Sequence, residues 1–402
     1  MQSNITDRDS GPLDDRVDLA IPAGVPAPDA DALAHARCVA AHIARAIDDD
    51  GGWIPFSAFM RLALYAPGLG YYAAGARKFG AAGDFYTAPE ISPLFGHALA
   101  HAFADVLAQT GGGILELGAG SGRLAIDMLT RLAALDALPD RYAILETSPD
   151  LRERQRTAIA AALPEAAARV EWLDALPDEW TGVIFGNEVL DALPVELLGK
   201  DGHAHIRRGV TIRERAFAWR DAHLPPGRLS ALIDARFPSD LYESEVNPEA
   251  ETLTATLGRL LRRGVLLWID YGFPAREYYH PQRNRGTLQC HYRQYAHDDP
   301  LALPGLQDIT AHVDFSAIAE AAREAGLELA GFTSQAQFLI GCGIVDLVGA
   351  CGEPGTAGYV RATSGLQKLL SPAEMGELFK VIAFTRELDV PLRGFASGQR
   401  PL

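Results

Sequence analysis

The segment Ile114–Gly122, ILELGAGSG, narrows the choice of fold more than any other stretch of the chain. A short apolar run ends in Glu116 and Leu117, and glycines follow at alternate positions, Gly118, Gly120 and Gly122. Glycine there admits positive φ and lets a ligand approach the backbone with no Cβ in the way. The next residues, RLAIDMLTRLAAL, space Leu124, Met128, Leu129 and Leu132 along one helical face. Strand, glycine turn and helix follow in order, and the first helical amides point into the turn.

The rhythm continues. YAILE is a second apolar run, and Ser148 with Pro149 supplies an N-cap and a first-turn proline for the next helix. VEWL, GVIFGN and VLLWID are further short apolar runs. Strands this apolar, alternating with helices, predict an α/β fold whose mostly parallel sheet is covered on both faces. Leu198–His223 alternates with period two instead, which predicts antiparallel strands inserted into that rhythm. NPEAETLTATLGRLLRRG reads as a helix ended by Gly264.

The expected organisation has four parts. Residues 1–30, polar and proline-punctuated, form a disordered tail. Residues 31–110 form a helical N-terminal region contributing to the site. Residues 111–345 form the core, with the β insertion at about 198–240 and an aperiodic lid at about 271–310. Residues 346–402 form a C-terminal helical segment.

Charge excludes some partners. The 402 residues carry 36 basic and 52 acidic side chains, a net −16. Such a chain repels phosphate backbones and anionic membranes at long range, so no nucleic acid and no membrane surface is expected as partner. The four cysteines contain no CxxC and suggest no metal site; the reducing cytoplasm is the expected location. No apolar run reaches the roughly 18 residues that a bilayer span requires. The first residues resemble neither a secretory signal nor a transit peptide.

The glycine turn is GxGxG, not the GxGxxG of dinucleotide sites, and an acid precedes it. Glu116 would repel a pyrophosphate but face a positively charged group, which favours S-adenosylmethionine, with its ammonium and sulfonium, over NAD. Glu146 ends the second apolar run, where a carboxylate reaches a ribose; it also neighbours a helix N-cap. Asp174 can meet an adenine amino group or serve as a turn residue. Asn187, Glu188 and Asp191 follow the fourth run in GNEVLDALP, at the edge where open α/β sheets bind ligands, unless they form a solvated helix start.

In this order ELGAGSG, YAILE, GNEVLDALPVE and WIDYG, the chain resembles the class I methyltransferases. With GDFYTAPEISPLFG before the loop and DITAHVDFSAI late in the chain, it resembles the MidA-like family, to which a mitochondrial complex I assembly methyltransferase belongs. The match runs from about Phe56 to about Phe384. The resemblance implies a Rossmann-like, seven-stranded core with an N-terminal helical extension, S-adenosylmethionine as cofactor, and a protein substrate methylated on arginine. It also suggests a respiratory complex I subunit as substrate.

Arginine is a poor nucleophile because its guanidinium is always charged. Carboxylates can hold it in fork geometry. Glu188 and Asp191 suit that role, or else the methionine end of the cofactor. His312, in TAHVDFS, can orient substrate, act as a base, or be a buried hydrogen-bonded histidine. Asp84, Tyr86, Thr87 and Glu90 would lie beside the glycine turn if the N-terminal region folds over it, with Tyr86 and Thr87 touching the cofactor, unless Tyr86 is a packing aromatic. His97 and His101 share a helical face but lack the glutamate of a zinc-protease motif. GNEV has no proline pair or stacking aromatic for a nucleobase. Two further readings are an assembly or chaperone-like protein that binds the cofactor without essential catalysis, and an NAD-dependent oxidoreductase.

Overall fold

The apolar runs of the sequence meet in one sheet. The computed structural model describes residues 16–74, 87–202, 204–389 and 391–402. Two compact units divide the chain. One comprises Arg77–Leu193, Asn247–Arg283 and Ala311–Leu402; the other comprises Met1–Ala76, Pro194–Val246 and Asn284–Thr310.

The first unit holds strands β1 (Gly113–Leu117), β2 (Tyr142–Leu145), β3 (Val170–Leu173), β4 (Trp180–Asn187), β5 (Leu261–Phe273), β6 (Glu328–Ser334) and β7 (Phe379–Arg386). Their order is β6-β7-β5-β4-β1-β2-β3, and the short strand Val313–Asp314 adds to β5. The strands from β3 across to β5 pair in parallel, and β7 runs antiparallel between β5 and β6. The expected seven-stranded, mostly parallel sheet is therefore present, with the two-residue strand beside it.

Period two sends alternate side chains to opposite cores. Ile114, Ile144, Val183, Phe185 and Leu267 join the core formed with helices Pro93–Thr110 and Arg123–Ala134. Leu115, Leu117, Ile184, Leu266 and Trp268 join the core formed with helices Pro248–Leu260 and Phe315–Glu324. At the amino ends, Gly113, Gly182 and Gly264 stand in one row across β1, β4 and β5. A Cβ on Gly182 would collide with the Gly113 carbonyl, and one on Gly264 with the Gly182 carbonyl.

Caps form where the sequence placed them. Ser92 Oγ accepts from Leu94 N at 3.3 Å, and Ser148 Oγ accepts from Leu151 N at 3.4 Å. Two boundaries differ. The helix expected to run to Gly264 ends at Leu260, because Leu261, fully buried, already pairs with Trp180. The C-terminal segment is helical over Ala357–Leu370, but Phe379–Arg386 is strand β7. Its run Val381–Phe384 is buried between two strands that satisfy its backbone on both sides; a short apolar run carries no period that separates strand from helix.

The second unit contains the inserted antiparallel segment. Strands Glu196–Asp201, Ala204–Arg213, Ala216–His223 and Leu241–Val246 pair with one another, and Ile54–Pro55 adds to Ala204–Arg213. Helices Ala30–Asp49 and Phe56–Tyr65 belong here, whereas the helix Pro93–Thr110 belongs to the first unit. The expected N-terminal helical region is thus shared between two cores. The aperiodic segment 271–310 also divides: Tyr271–Phe273 finishes β5, and Gln289–Tyr292, Tyr295–His297 and Asp308–Thr310 form a small antiparallel sheet. Among the described residues no helix is long and apolar enough to cross a membrane.

Candidate functional site

The order in which strands are added reverses at β1. The strands after it go first to one side, through β2 and β3, and then to the other, through β4 and β5. In open α/β sheets ligands bind in the crevice outside the carboxyl ends of the strands at such a switch point. The glycine turn lies there, with φ of 64° at Gly118, 54° at Gly120 and 80° at Gly122. A Cβ would be strained at Gly118 and would press within 3.3 Å of Val189 Cγ2; at Gly122 it would press as closely on Gln155 Cγ.

Acids end the neighbouring strands. Glu116 is buried, and its Oε2 accepts from the Tyr142 hydroxyl at 2.7 Å. Burial pushes its carboxyl up to about 8; the tyrosine bond opposes the shift and the Glu146 charge adds to it. Glu146 is also buried. Its Oε1 accepts from Ser148 N at 3.0 Å and its Oε2 from Gln155 Nε2 at 3.2 Å. Gln155 Nε2 also donates to the Gly120 carbonyl at 2.9 Å, and Trp172 Nε1 donates to Gln155 Oε1 at 2.8 Å. Glu146 is therefore tied to the glycine turn through Gln155, and Glu116 stands on β1 just before it. Asp174 lies at the surface: its side chain is 93% exposed and pairs at 2.6 Å with Arg152, which also donates to the Glu146 carbonyl at 2.6 Å.

The turn after β4 gathers the other predicted polar residues. Glu188 takes φ 54°, the left-handed region that a non-glycine residue rarely adopts, and its amide donates to the Ile269 carbonyl at 2.9 Å. Asn187 Nδ2 donates to Glu188 Oε1 at 2.8 Å. Asn187 Oδ1 and Asp191 Oδ1 are buried and find no hydrogen-bond partner among the described residues. Asp191 is pushed up to about 6 by burial, while hydrogen bonds from the Tyr271 side chain and backbone amides act the other way.

Sequence reasoning gave no role to Asp270, the acid of WIDYG. It is fully enclosed within β5, three residues before the strand ends, and its Oδ2 accepts from Val189 N at 3.2 Å, Leu190 N at 2.9 Å and Asp191 N at 3.3 Å. Burial raises its carboxyl well above the ordinary range, and the charges of Asp191 and Glu188 raise it further. The available signal was position: like Glu116 and Glu146, it ends an apolar run.

His312 lies next to this turn, since the Ala311 amide donates to the Asp191 carbonyl at 3.0 Å. The His312 ring packs edge-on to Tyr271 and tilted against Phe273. Burial, with Arg283 and Lys380 nearby, depresses it to about 4. Thr87 is the N-cap residue of the short helix Ala88–Ile91, and Glu90 in that helix accepts from Ser121 Oγ in the glycine turn. Tyr86 and Asp84 lie outside the described residues. His101 has both ring nitrogens engaged, with the Cys342 carbonyl at 2.9 Å and with Arg131 Nε at 2.9 Å.

A doubly wound sheet with a glycine turn and strand-end acids at its switch point defines an α/β protein that binds a nucleoside-type ligand. The chain belongs to a family of S-adenosyl-L-methionine-dependent methyltransferases, whose model matches residues 98–333. A crystal structure from Burkholderia thailandensis, bound to S-adenosyl-homocysteine, is 49% identical, with TM-score 0.90, covering 94% of this chain and 99% of that one. A native crystal structure from the same organism is 48% identical, with TM-score 0.87 and the same coverage, 94% and 99%. The Drosophila melanogaster protein arginine methyltransferase NDUFAF7 homolog, mitochondrial, is 29% identical, with 83% of this chain and 81% of that protein covered. The Homo sapiens NDUFAF7 is 27% identical, with 83% and 80% covered.

Proposed function

We propose that the chain methylates a protein substrate on arginine, with S-adenosylmethionine as methyl donor. The observation that carries this reading is the turn after β4, where Glu188 and Asp191 stand on a backbone held by Asp270 and two buried oxygens, Asn187 Oδ1 and Asp191 Oδ1, lack partners among the described residues. Relatives named as protein arginine methyltransferases support the same reading.

The residues fit the donor. Gly118 and Gly122 leave a cradle that a Cβ would fill, and Glu116 offers a buried carboxyl to a cationic end. Glu146 keeps lone pairs for ribose hydroxyls beyond those used by Ser148 and Gln155. Asn187 Oδ1, without a partner among the described residues, is left to accept from an amine of the donor. Asp174, exposed and paired with Arg152, is the weakest member of the predicted cofactor set. Tyr86 and Thr87 remain part of the proposal.

When bound, S-adenosylmethionine supplies an electrophilic methyl group on a sulfonium. The chain's own work is alignment and charge. Glu188 and Asp191 grip a guanidinium and orient one nitrogen. A proton must leave that nitrogen as the new N–C bond forms, and Asp191 Oδ1 is its acceptor. Burial makes the Asp191 carboxylate more basic than an ordinary one, whereas burial with Arg283 and Lys380 nearby depresses His312. His312 is therefore read as orienting the substrate.

The test is transfer of labelled methyl from S-adenosylmethionine to a protein extract, followed by mass spectrometric mapping of the modified residue. A respiratory complex I subunit, as the family resemblance suggests, is the first defined substrate to try, and the cytoplasm the proposed setting. Label on arginine is the expected result. Label on another residue type would overturn the arginine assignment, and no label in any protein would favour a binding protein without transfer.

A further inference from the structure

We infer that Asp270 is the positioning residue of the site: through one carboxylate oxygen it holds the three consecutive amides of Val189, Leu190 and Asp191 and so sets the direction of the acidic turn toward a cationic substrate group. The substrate half of this statement rests on the reading above; the structural half does not.

Three consecutive amides facing one acceptor form a backbone nest, and the acceptor here is a side chain of the same chain. Asp270 Oδ1 accepts in turn from Tyr271 N at 2.9 Å, so both oxygens are committed to backbone donors. This arrangement borders two costly features. Glu188 sits at φ 54°, and the carboxyl groups of Glu188 and Asp191 are close enough for their charges to act on Asp270. The held turn is rigid, and the crowded Glu188 and Asp191 leave it short of positive charge, which a guanidinium relieves on entry. Asn247 braces the far end: its Nδ2 donates to the Leu190 carbonyl at 3.2 Å and the Leu193 carbonyl at 3.3 Å.

Asp270→Asn tests the assignment in the full-length protein. Its amide oxygen can occupy the nest, but its amide nitrogen then opposes Tyr271 N, which now donates to Asp270 Oδ1. Hydrogen exchange at Val189, Leu190 and Asp191 should accelerate about tenfold or more, with protection of β1 and β4 retained. Turnover should fall about a hundredfold, with S-adenosyl-homocysteine still binding. Asp270→Ser serves if the amide variant does not fold. Unchanged exchange at the three amides in a folded variant overturns the assignment. If neither variant folds, Asp270 is a folding residue and the assignment also falls. If exchange accelerates but the unmodified protein transfers no methyl to arginine, the proposed function fails while the positioning role stands.

Discussion

Glu116 carries the clearest pH signature in the molecule. Its carboxyl, ordinarily near 4.5, is raised to about 8 by burial. Between those values the unfolded chain has lost a proton that the folded chain keeps. Stability should therefore fall as pH rises from about 4.5 to about 8, and level off above that. Glu116→Gln removes the penalty: it should melt higher than the unmodified protein at pH 8 and alike at pH 4.5, and equal melting at both would show that Glu116 is not strained. Glu188→Gln probes the other end of the site. The amide keeps shape and one acceptor but loses the charge that pairs with a guanidinium. Transfer should drop about a hundredfold, roughly 3 kcal/mol, with S-adenosyl-homocysteine affinity unchanged. A matching loss of affinity would instead move Glu188 to the cofactor. These residues were legible because each ends an apolar run, a property of adjacent residues. Asp270 shares that property, yet its role depends on amides 79 to 81 positions earlier in the chain, which no local pattern announces.

At the level of elements, glycines divide into two kinds. Gly182 lies in the row with Gly113 and Gly264, where a side chain meets a neighbouring strand's carbonyl. Gly182→Ala should cost on the order of 3 kcal/mol in urea unfolding, because the central strands must separate to admit it. Gly118→Ala should cost only about 1 kcal/mol of stability, from left-handed backbone strain, but should weaken S-adenosyl-homocysteine binding more than tenfold. Reversal of the two rankings would mean that the turn, not the strand row, limits stability. The glycine turn was readable from its spacing and its strand and helix flanks. The row was not, since it exists only once β1, β4 and β5 are in register. Strand β7 was missed for a similar reason: KVIAFTR is too short to show a period, and its neighbours β5 and β6 decide its state.

For the molecule as a whole, ligand binding should stabilise the unit that holds the parallel sheet. At a hundredfold excess over its dissociation constant, S-adenosyl-homocysteine adds about 2.7 kcal/mol to that unit's unfolding free energy. Hydrogen exchange should show the gain in β1, β2 and β4. An equal gain in Ala204–Arg213 would mean that both units open together. The sequence by itself determined the α/β class, the glycine turn, the inserted antiparallel segment and the acids at three strand ends, because hydrophobic period and turn chemistry belong to contiguous residues. Only the tertiary structure decided which unit each N-terminal helix joins, where β7 inserts, and that Asp270 holds the acidic turn. Those outcomes depend on strand order and register, which bring together residues far apart in the chain.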